Sequence, residues 1–192
     1  MSLIIDWSDF LLYIIRHGKT DWNMQNKLQG HMDIPLNEEG IQMAIESGKK
    51  NKDVHFDICF CSPLTRAKQT AAYFLGDRKV PVIYDDRLKE MNFGIYEGAL
   101  NYRTDENCPV NVFFKDPANY NGVKDGESTK DLMNRTKDFL DTVVNPMLKE
   151  GKDILIVGHG AANSSLICQF RGLGVEKFWD EGIENCRLIK LC

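Results

Sequence analysis

Three observations predict an α/β fold, a three-layer sandwich around a mainly parallel central sheet. Short apolar runs rich in β-branched residues alternate with amphipathic helical patterns. The strongest runs are apolar at consecutive positions, the habit of strands buried on both faces of a parallel sheet. No repeat, low-complexity tract or linker divides the 192 residues, so 1–192 is expected to be a single domain.

The elements follow in chain order. Leu11 to Ile15 reads as the first buried strand. Asn37 is placed to cap a helix whose apolar positions are Ile41, Ala44, Ile45 and Gly48, with Glu38 and Glu39 in its first turn, where negative charge is favoured. Phe56 to Cys61 is a further strand. Ser62 and Pro63 then read as an N-cap and first helical residue, followed by a face of Leu64, Ala67, Ala71 and Phe74. Val80 to Tyr84 and Arg187 to Leu191 read as strands nearer the edges. Ser128 with Asp131 resembles a capping box, opening a long helix with Leu132, Thr136, Phe139, Leu140, Val143 and Met147 on one side and Pro146 at its frayed end. Ile154 to Val157 is another buried strand, and Ala161 to Phe170 another helix. Met1 to Leu3 is a candidate remnant of cloning.

Residues 92–127 break the rhythm. The stretch is rich in Asn, Gly and Pro, with Tyr96, Tyr102, Phe113, Phe114 and Tyr120 interspersed. It reads as short helices and loop forming a lid-like insertion over a site. A surface excursion whose aromatics pack inward is the alternative.

Composition narrows the function. The net charge of −4 argues against a general nucleic-acid or anionic-membrane binder, while leaving room for a local basic pocket. The six cysteines contain no C-x-x-C pair; Cys59 and Cys61 fit strand positions, and reduced thiols are expected. No segment reads as a signal peptide or a bilayer span, so a cytoplasmic protein is expected. Oligomeric state stays open.

Ligands of open α/β sheets bind outside the carboxyl ends of the strands. Arg16, His17 and Gly18 follow the first strand. Ser62, Pro63 and Arg66 follow the strand ending at Cys61, and Gly158, His159 and Gly160 follow that ending at Val157. Two histidines and two arginines therefore converge. Arg66 sits at the positive end of its helix, an unfavourable place for a cation unless an anion is near, and a phosphate there would resolve the conflict. The glycines beside His17 and His159 permit close backbone approach to a ligand. His17, His159 and Glu90 also form a set that zinc accepts, but two arginines repel a dication and match phosphate oxygens, so no metal is expected. His31 and His55 read as structural.

These residues carry a resemblance that covers almost the whole chain. Arg16-His17-Gly18-Lys19-Thr20-Asp21-Trp22-Asn23 resembles the signature of the histidine phosphatase superfamily, the phosphoglycerate-mutase-like proteins. Asp33 to Asn37, Ser62 to Thr70, Leu88 to Gly98, Gly126 to Ser128 and Val157 to Gly160 resemble its later blocks, in order. The family often has Trp at Tyr96, Ser or Thr at Gly158 and Gln at Met43.

The resemblance implies that His17 is a nucleophile phosphorylated on a ring nitrogen, its other nitrogen held by the Gly18 carbonyl. Arg16, Asn23, Arg66, His159 and Gly160 are implied as phosphate-binding, with Asn185 a weaker candidate. Glu90 is implied as general acid and then base. For that role its carboxyl must be protonated near neutral pH, which burial under 92–127 would favour. No cofactor is implied, and the partner is a small phosphorylated substrate. The moderate segment after Glu90 and the block from Phe93 to Gly98 resemble the phosphatase branch, so hydrolysis of small phosphomonoesters is the expectation. A phosphoglycerate mutase and a non-catalytic sensor of phosphorylated ligands are the alternatives. Arg103, Phe113, Lys115 and Tyr120 are lid candidates for substrate contact, and the sequence leaves their directions open.

Overall fold

A computed structural model describes residues 11–192; Met1–Leu3 lies outside them. Five strands form one sheet: β1 (Leu12–Arg16), β2 (Ile58–Cys61), β3 (Val82–Tyr84), β4 (Ile154–Gly158) and β5 (Leu188–Lys190). Their order is β3-β2-β4-β1-β5. All pairings are parallel except that of β5, which runs antiparallel to β1 at one edge. β3 and β5 are the edges, as their weaker sequence patterns predict.

The helices are α1 (Asp21–Met24), α2 (Glu38–Lys50), α3 (Thr65–Leu75), α4 (Asn111–Lys115), α5 (Thr129–Phe139), α6 (Asn145–Lys149) and α7 (Gly160–Phe170). Because strand side chains alternate between faces, one sheet face buries Leu12, Ile14, Ile58, Phe60, Ile154 and Ile156 against Phe139, Val144, Leu148 and Leu166 of the α5–α7 layer. The other buries Ile15, Cys59, Cys61, Leu155 and Val157 against Ala67, Ala71 and Phe74 of α3, which in turn contacts α2. The sandwich thus has the expected three layers.

Local side-chain caps start α1, α2 and α5. Asn37 Oδ1 accepts from Gly40 N at 2.9 Å, and Ser128 with Asp131 forms the expected capping box; each such cap contributes about 1 kcal/mol. Two expectations fail. Helix α3 begins at Thr65, not Pro63; Ser62 Oγ accepts from Leu64 N at 3.3 Å and from His159. Asp33 caps that helix from a distant loop, taking Thr65 N and Oγ1 at 2.7 Å each. Pro146 does not mark a frayed end. A π-helical turn, Leu140–Val144, follows α5, and Pro146 comes just after it, in the first turn of α6, which runs on to Lys149.

The 92–127 segment holds α4 and short 3₁₀ turns at Gly94–Tyr96 and Pro117–Asn119. Phe113 and Tyr120 are buried beside Phe93, Met91, Leu132 and Phe178, so part of its aromatic content packs inward.

Candidate active site

The sheet register assembles the site. Arg16 pairs with Gly158 and Cys61 with Val157, so His17, Ser62 and His159 leave neighbouring strands at nearly one level. The His17 and His159 rings lie 5.1 Å apart. His17 is fixed at both backbone ends: its N–H donates to the Gly158 carbonyl at 3.0 Å, and its carbonyl accepts from the Asn185 amide at 2.6 Å. Asn185 therefore holds the His17 backbone and also lines the cavity.

The tautomers follow from the partners. Nδ1 of His17 lies 2.7 Å from the Gly18 carbonyl, which only accepts, so Nδ1 carries the proton and Nε2 has a free lone pair. Burial first, then Arg66 and Arg16, hold the His17 pKa well below its ordinary value, so the ring is neutral near pH 7. Nδ1 of His159 accepts from Arg66 Nε at 3.2 Å, so its Nε2–H donates to Ser62 Oγ at 2.8 Å. Burial and the Arg66 charge hold this imidazole neutral too.

Arg66 is fully buried. Its Nη1 donates to the Met32 carbonyl at 2.8 Å and Nη2 to the Gly30 carbonyl at 2.7 Å. Burial lowers its pKa to about 10, against the opposing pull of Glu90, Asp33 and Glu97, and it stays charged. At the α3 N-terminus the Arg66 cation thus has the Asp33 carboxylate nearby and two carbonyl acceptors. The flanking glycines also need a different account. A Cβ on Gly18 would lie 2.5 Å from the Gly40 carbonyl oxygen, and one on Gly158 would lie 2.3 Å from Asn163 Oδ1. Both make room for protein. Gly160 alone turns toward site groups, with Glu90 Oε2 3.5 Å from its Cβ direction.

Glu90 is nearly buried and sits at the N-terminus of α7. Its Oε1 accepts from Met91 N at 2.9 Å and from Ala161 N and Ala162 N at 3.1 Å each. Arg135 of α5 holds the segment that carries it. Its guanidinium donates to the carbonyls of Arg87, Lys89 and Glu90 and forks onto Glu127, whose Oε2 also accepts from Asn92 N. His31, read from sequence as structural, bonds the Glu90 carbonyl through Nε2 at 2.8 Å. Arg135 gave no signal in the sequence beyond the block at Gly126-Glu127-Ser128.

A cavity of about 790 Å³ opens beside His17, within the range of small-molecule sites. Arg16, His17, Asn23, Glu90 and Gly160 line it, whereas Arg66 and His159 do not. Arg16 donates to the Ile183 carbonyl through Nη1, and its buried Nε has no partner among the described residues. Asn23 Oδ1 is engaged by Thr20 in a capping box at α1. Gln29 was missed. Its Oε1 accepts from Thr20 Oγ1 at 3.0 Å, and its buried Nε2, in a residue lining the cavity, lacks a partner among the described residues. Of the four lid candidates only Arg103 lines the cavity. Phe113 and Tyr120 are buried in the core, and Lys115 pairs with Glu106 outside; Phe93, Tyr102, Phe114 and Trp179 line it instead.

The family model for the histidine phosphatase superfamily (branch 1) matches residues 12–192. An uncharacterized phosphatase, PhoE, of Bacillus subtilis (strain 168) is 34% identical over 93% of this chain and 83% of its own. A 2,3-bisphosphoglycerate-dependent phosphoglycerate mutase of Methylobacterium sp. (strain 4-46) is 33% identical, over 86% of this chain and 83% of its own. The crystal structure of the alpha-ribazole phosphatase from Shigella flexneri superposes with a TM-score of 0.82 at 28% identity, covering 94% of this chain and 89% of that one. A sheet that brings two neutral histidines together at its carboxyl edge and a family match over the same residues lead to one assignment: the chain belongs to the histidine phosphatase superfamily, branch 1.

Proposed function

We propose that this protein hydrolyses small phosphomonoesters without a metal or other cofactor, through a phosphohistidine formed on His17. One observation carries the reading: His17 lines the cavity as a neutral imidazole whose Nδ1 is tied to the Gly18 carbonyl, leaving Nε2 free to attack.

In the first step the Nε2 lone pair bonds phosphorus as the ester P–O bond breaks, and the Glu90 carboxyl gives its proton to the departing oxygen. In the second, water attacks the phosphohistidine and Glu90 takes a proton from it. The N–P bond electrons return to Nε2, and inorganic phosphate leaves. Arg16, Asn23, Gln29 and Gly160 would hold the phosphoryl oxygens from the cavity side. Arg66 adds positive charge near His17, and His159, held between Arg66 and Ser62, stands beside the nucleophile ring. The 92–127 segment serves as a lid over the single domain. A cytoplasmic location goes with this reading, since all six cysteines are free thiols. Among the described residues no helix is long and apolar enough to cross a membrane.

A phosphoglycerate mutase is the second reading, favoured by the 33% identical Methylobacterium protein. The deciding experiment measures phosphate release from a panel of phosphomonoesters in EDTA, beside mutase turnover of 3-phosphoglycerate, for the parent and His17→Ala. Phosphate release exceeding mutase turnover, insensitive to EDTA and lost in the variant, is expected. Faster mutase turnover would overturn hydrolysis, and release lost in EDTA would overturn metal independence.

A further inference from the structure

The turn from Gly30 to Met32 holds two parts of the site at once. Its Gly30 and Met32 carbonyls take the Arg66 fork, and the His31 ring donates from Nε2 to the Glu90 carbonyl. The turn belongs to no helix or strand, so contacts from elsewhere must fix its shape. Glu97 supplies them. Its Oε1 accepts from His31 N at 2.7 Å and its Oε2 from Met32 N at 2.6 Å. Oε1 also takes Phe93 N at 3.3 Å. A Cβ on Gly30 would overlap Glu97 Oε1, so the carboxylate lies directly against the Gly30 backbone.

One peptide unit joins the two charges. The peptide between Gly30 and His31 accepts from Arg66 Nη2 at its oxygen and donates to Glu97 Oε1 from its nitrogen. A cation at the oxygen and an anion at the hydrogen polarise that peptide in the same sense, and hydrogen bonds in such a chain strengthen one another. Burial opposes the charge on Arg66, and Glu90, Asp33 and Glu97 support it, in that order. Glu97 does not line the cavity, so whatever it does for a reaction there passes through other groups. A carboxylate that ties loops together is ordinary. This one ties a turn whose outward bonds end on Arg66 and on the backbone of Glu90.

We propose that Glu97 is a positioning residue for phosphoryl transfer: by holding the Gly30–Met32 turn it sets the attitude of the Arg66 fork and, through His31, the place of the Glu90 backbone. This rests on the phosphatase reading of the same cavity. Arg66 Nε in turn holds the His159 ring, which stands beside that of His17. The carboxylate therefore acts on the nucleophile side through Arg66 and on the proton-donor side through His31.

Glu97→Gln keeps the size of the side chain, removes its charge and turns an amide NH2 toward a backbone N–H. On a turned-over phosphomonoester it is expected to lower kcat by about 10- to 100-fold, the worth of one or two hydrogen bonds to a charged group, with KM little changed. Glu97→Gln combined with Arg66→Gln should lose less than the product of the two single losses, because both act through the same fork. Two-bond proton–nitrogen spectra of the imidazoles read the same chain without turnover: the His159 Nδ1 resonance should shift in Glu97→Gln as its Arg66 partner turns. A carboxylate that merely braces the fold would lower the denaturation midpoint and move none of these. An undiminished kcat, losses that multiply in the double variant, or an unmoved His159 resonance each overturn the role. A shifted His159 resonance in a protein that hydrolyses no ester would sink the phosphatase reading alone and leave the hold on Arg66 standing. Glu97→Asp keeps the charge but falls one carbon short of the turn; it carries the same expectations should Glu97→Gln fail to fold.

Discussion

Arg66 Nε donates to His159 Nδ1 at 3.2 Å, and this bond decides which nitrogen of the buried imidazole carries its proton. The same guanidinium donates to the Gly30 and Met32 carbonyls, so three directions are fixed by one planar group. An ammonium keeps the charge but not the fork. Arg66→Lys is therefore expected to lose kcat/KM on the order of 100-fold, comparable to Arg66→Gln. Near-full activity in Arg66→Lys would mean that charge alone is used.

The two neutral histidines predict a pH signature. Both pKa values are depressed in the folded chain, mainly by burial. The unfolded chain binds protons at about pH 6.5 while the folded chain does not, so stability falls as pH drops from about 6.5 toward the folded values. Each histidine contributes up to about 1.4 kcal/mol per pH unit in that window. Urea unfolding from pH 7 to pH 5 should show the decline, with a shallower slope in His17→Gln. Imidazole proton resonances of His17 and His159 that titrate near 6.5 would contradict the assignment.

Glu90 as proton donor predicts dependence on the leaving group. Glu90→Gln should lower kcat on alkyl phosphates by roughly 10²- to 10⁴-fold. The loss on p-nitrophenyl phosphate should be much smaller, because its leaving group needs no proton. Equal losses on both would assign Glu90 a structural task, the anchoring of α7 through Ala161 N and Ala162 N.

The sheet was legible because buried parallel strands leave continuous apolar runs such as Ile154–Val157. The convergence of His17 and His159 followed from their shared place after such strands. Capping was legible where the cap is local, as at Asn37 and Ser128, and misread where it is not. Asp33 caps α3 across 32 residues of chain, a link that no local pattern records. The same limit hid Arg135, which acts on carbonyls of Arg87, Lys89 and Glu90, and Gln29, whose Nε2 gains meaning only once the cavity exists. Backbone carbonyls as partners leave no trace in side-chain spacing. Within 92–127, inward and outward aromatics alternate irregularly, so the sequence does not tell Phe113, which is buried, from Phe114, which lines the cavity.

Gly158 offers a separate test of packing. A Cβ there would lie 2.3 Å from Asn163 Oδ1, and Asn163 Nδ2 donates to the Ile15 carbonyl at 3.1 Å, next to Arg16. Gly158→Ser should cost about 1–3 kcal/mol through overpacking. Asn163→Ala in the same chain should recover much of that cost, measured as a coupling in a double-mutant cycle by denaturant unfolding. Strictly additive effects would show that the two side chains do not compete for the space.

The most direct measurement is to mix the protein with a turned-over phosphomonoester in EDTA, quench within one turnover, and locate phosphate by peptide mass spectrometry. The account predicts one phosphoryl group on His17, labile to acid and stable to base, and none in His17→Ala. Turnover with no phosphorylated intermediate, or a phosphoryl group on another residue, would contradict it.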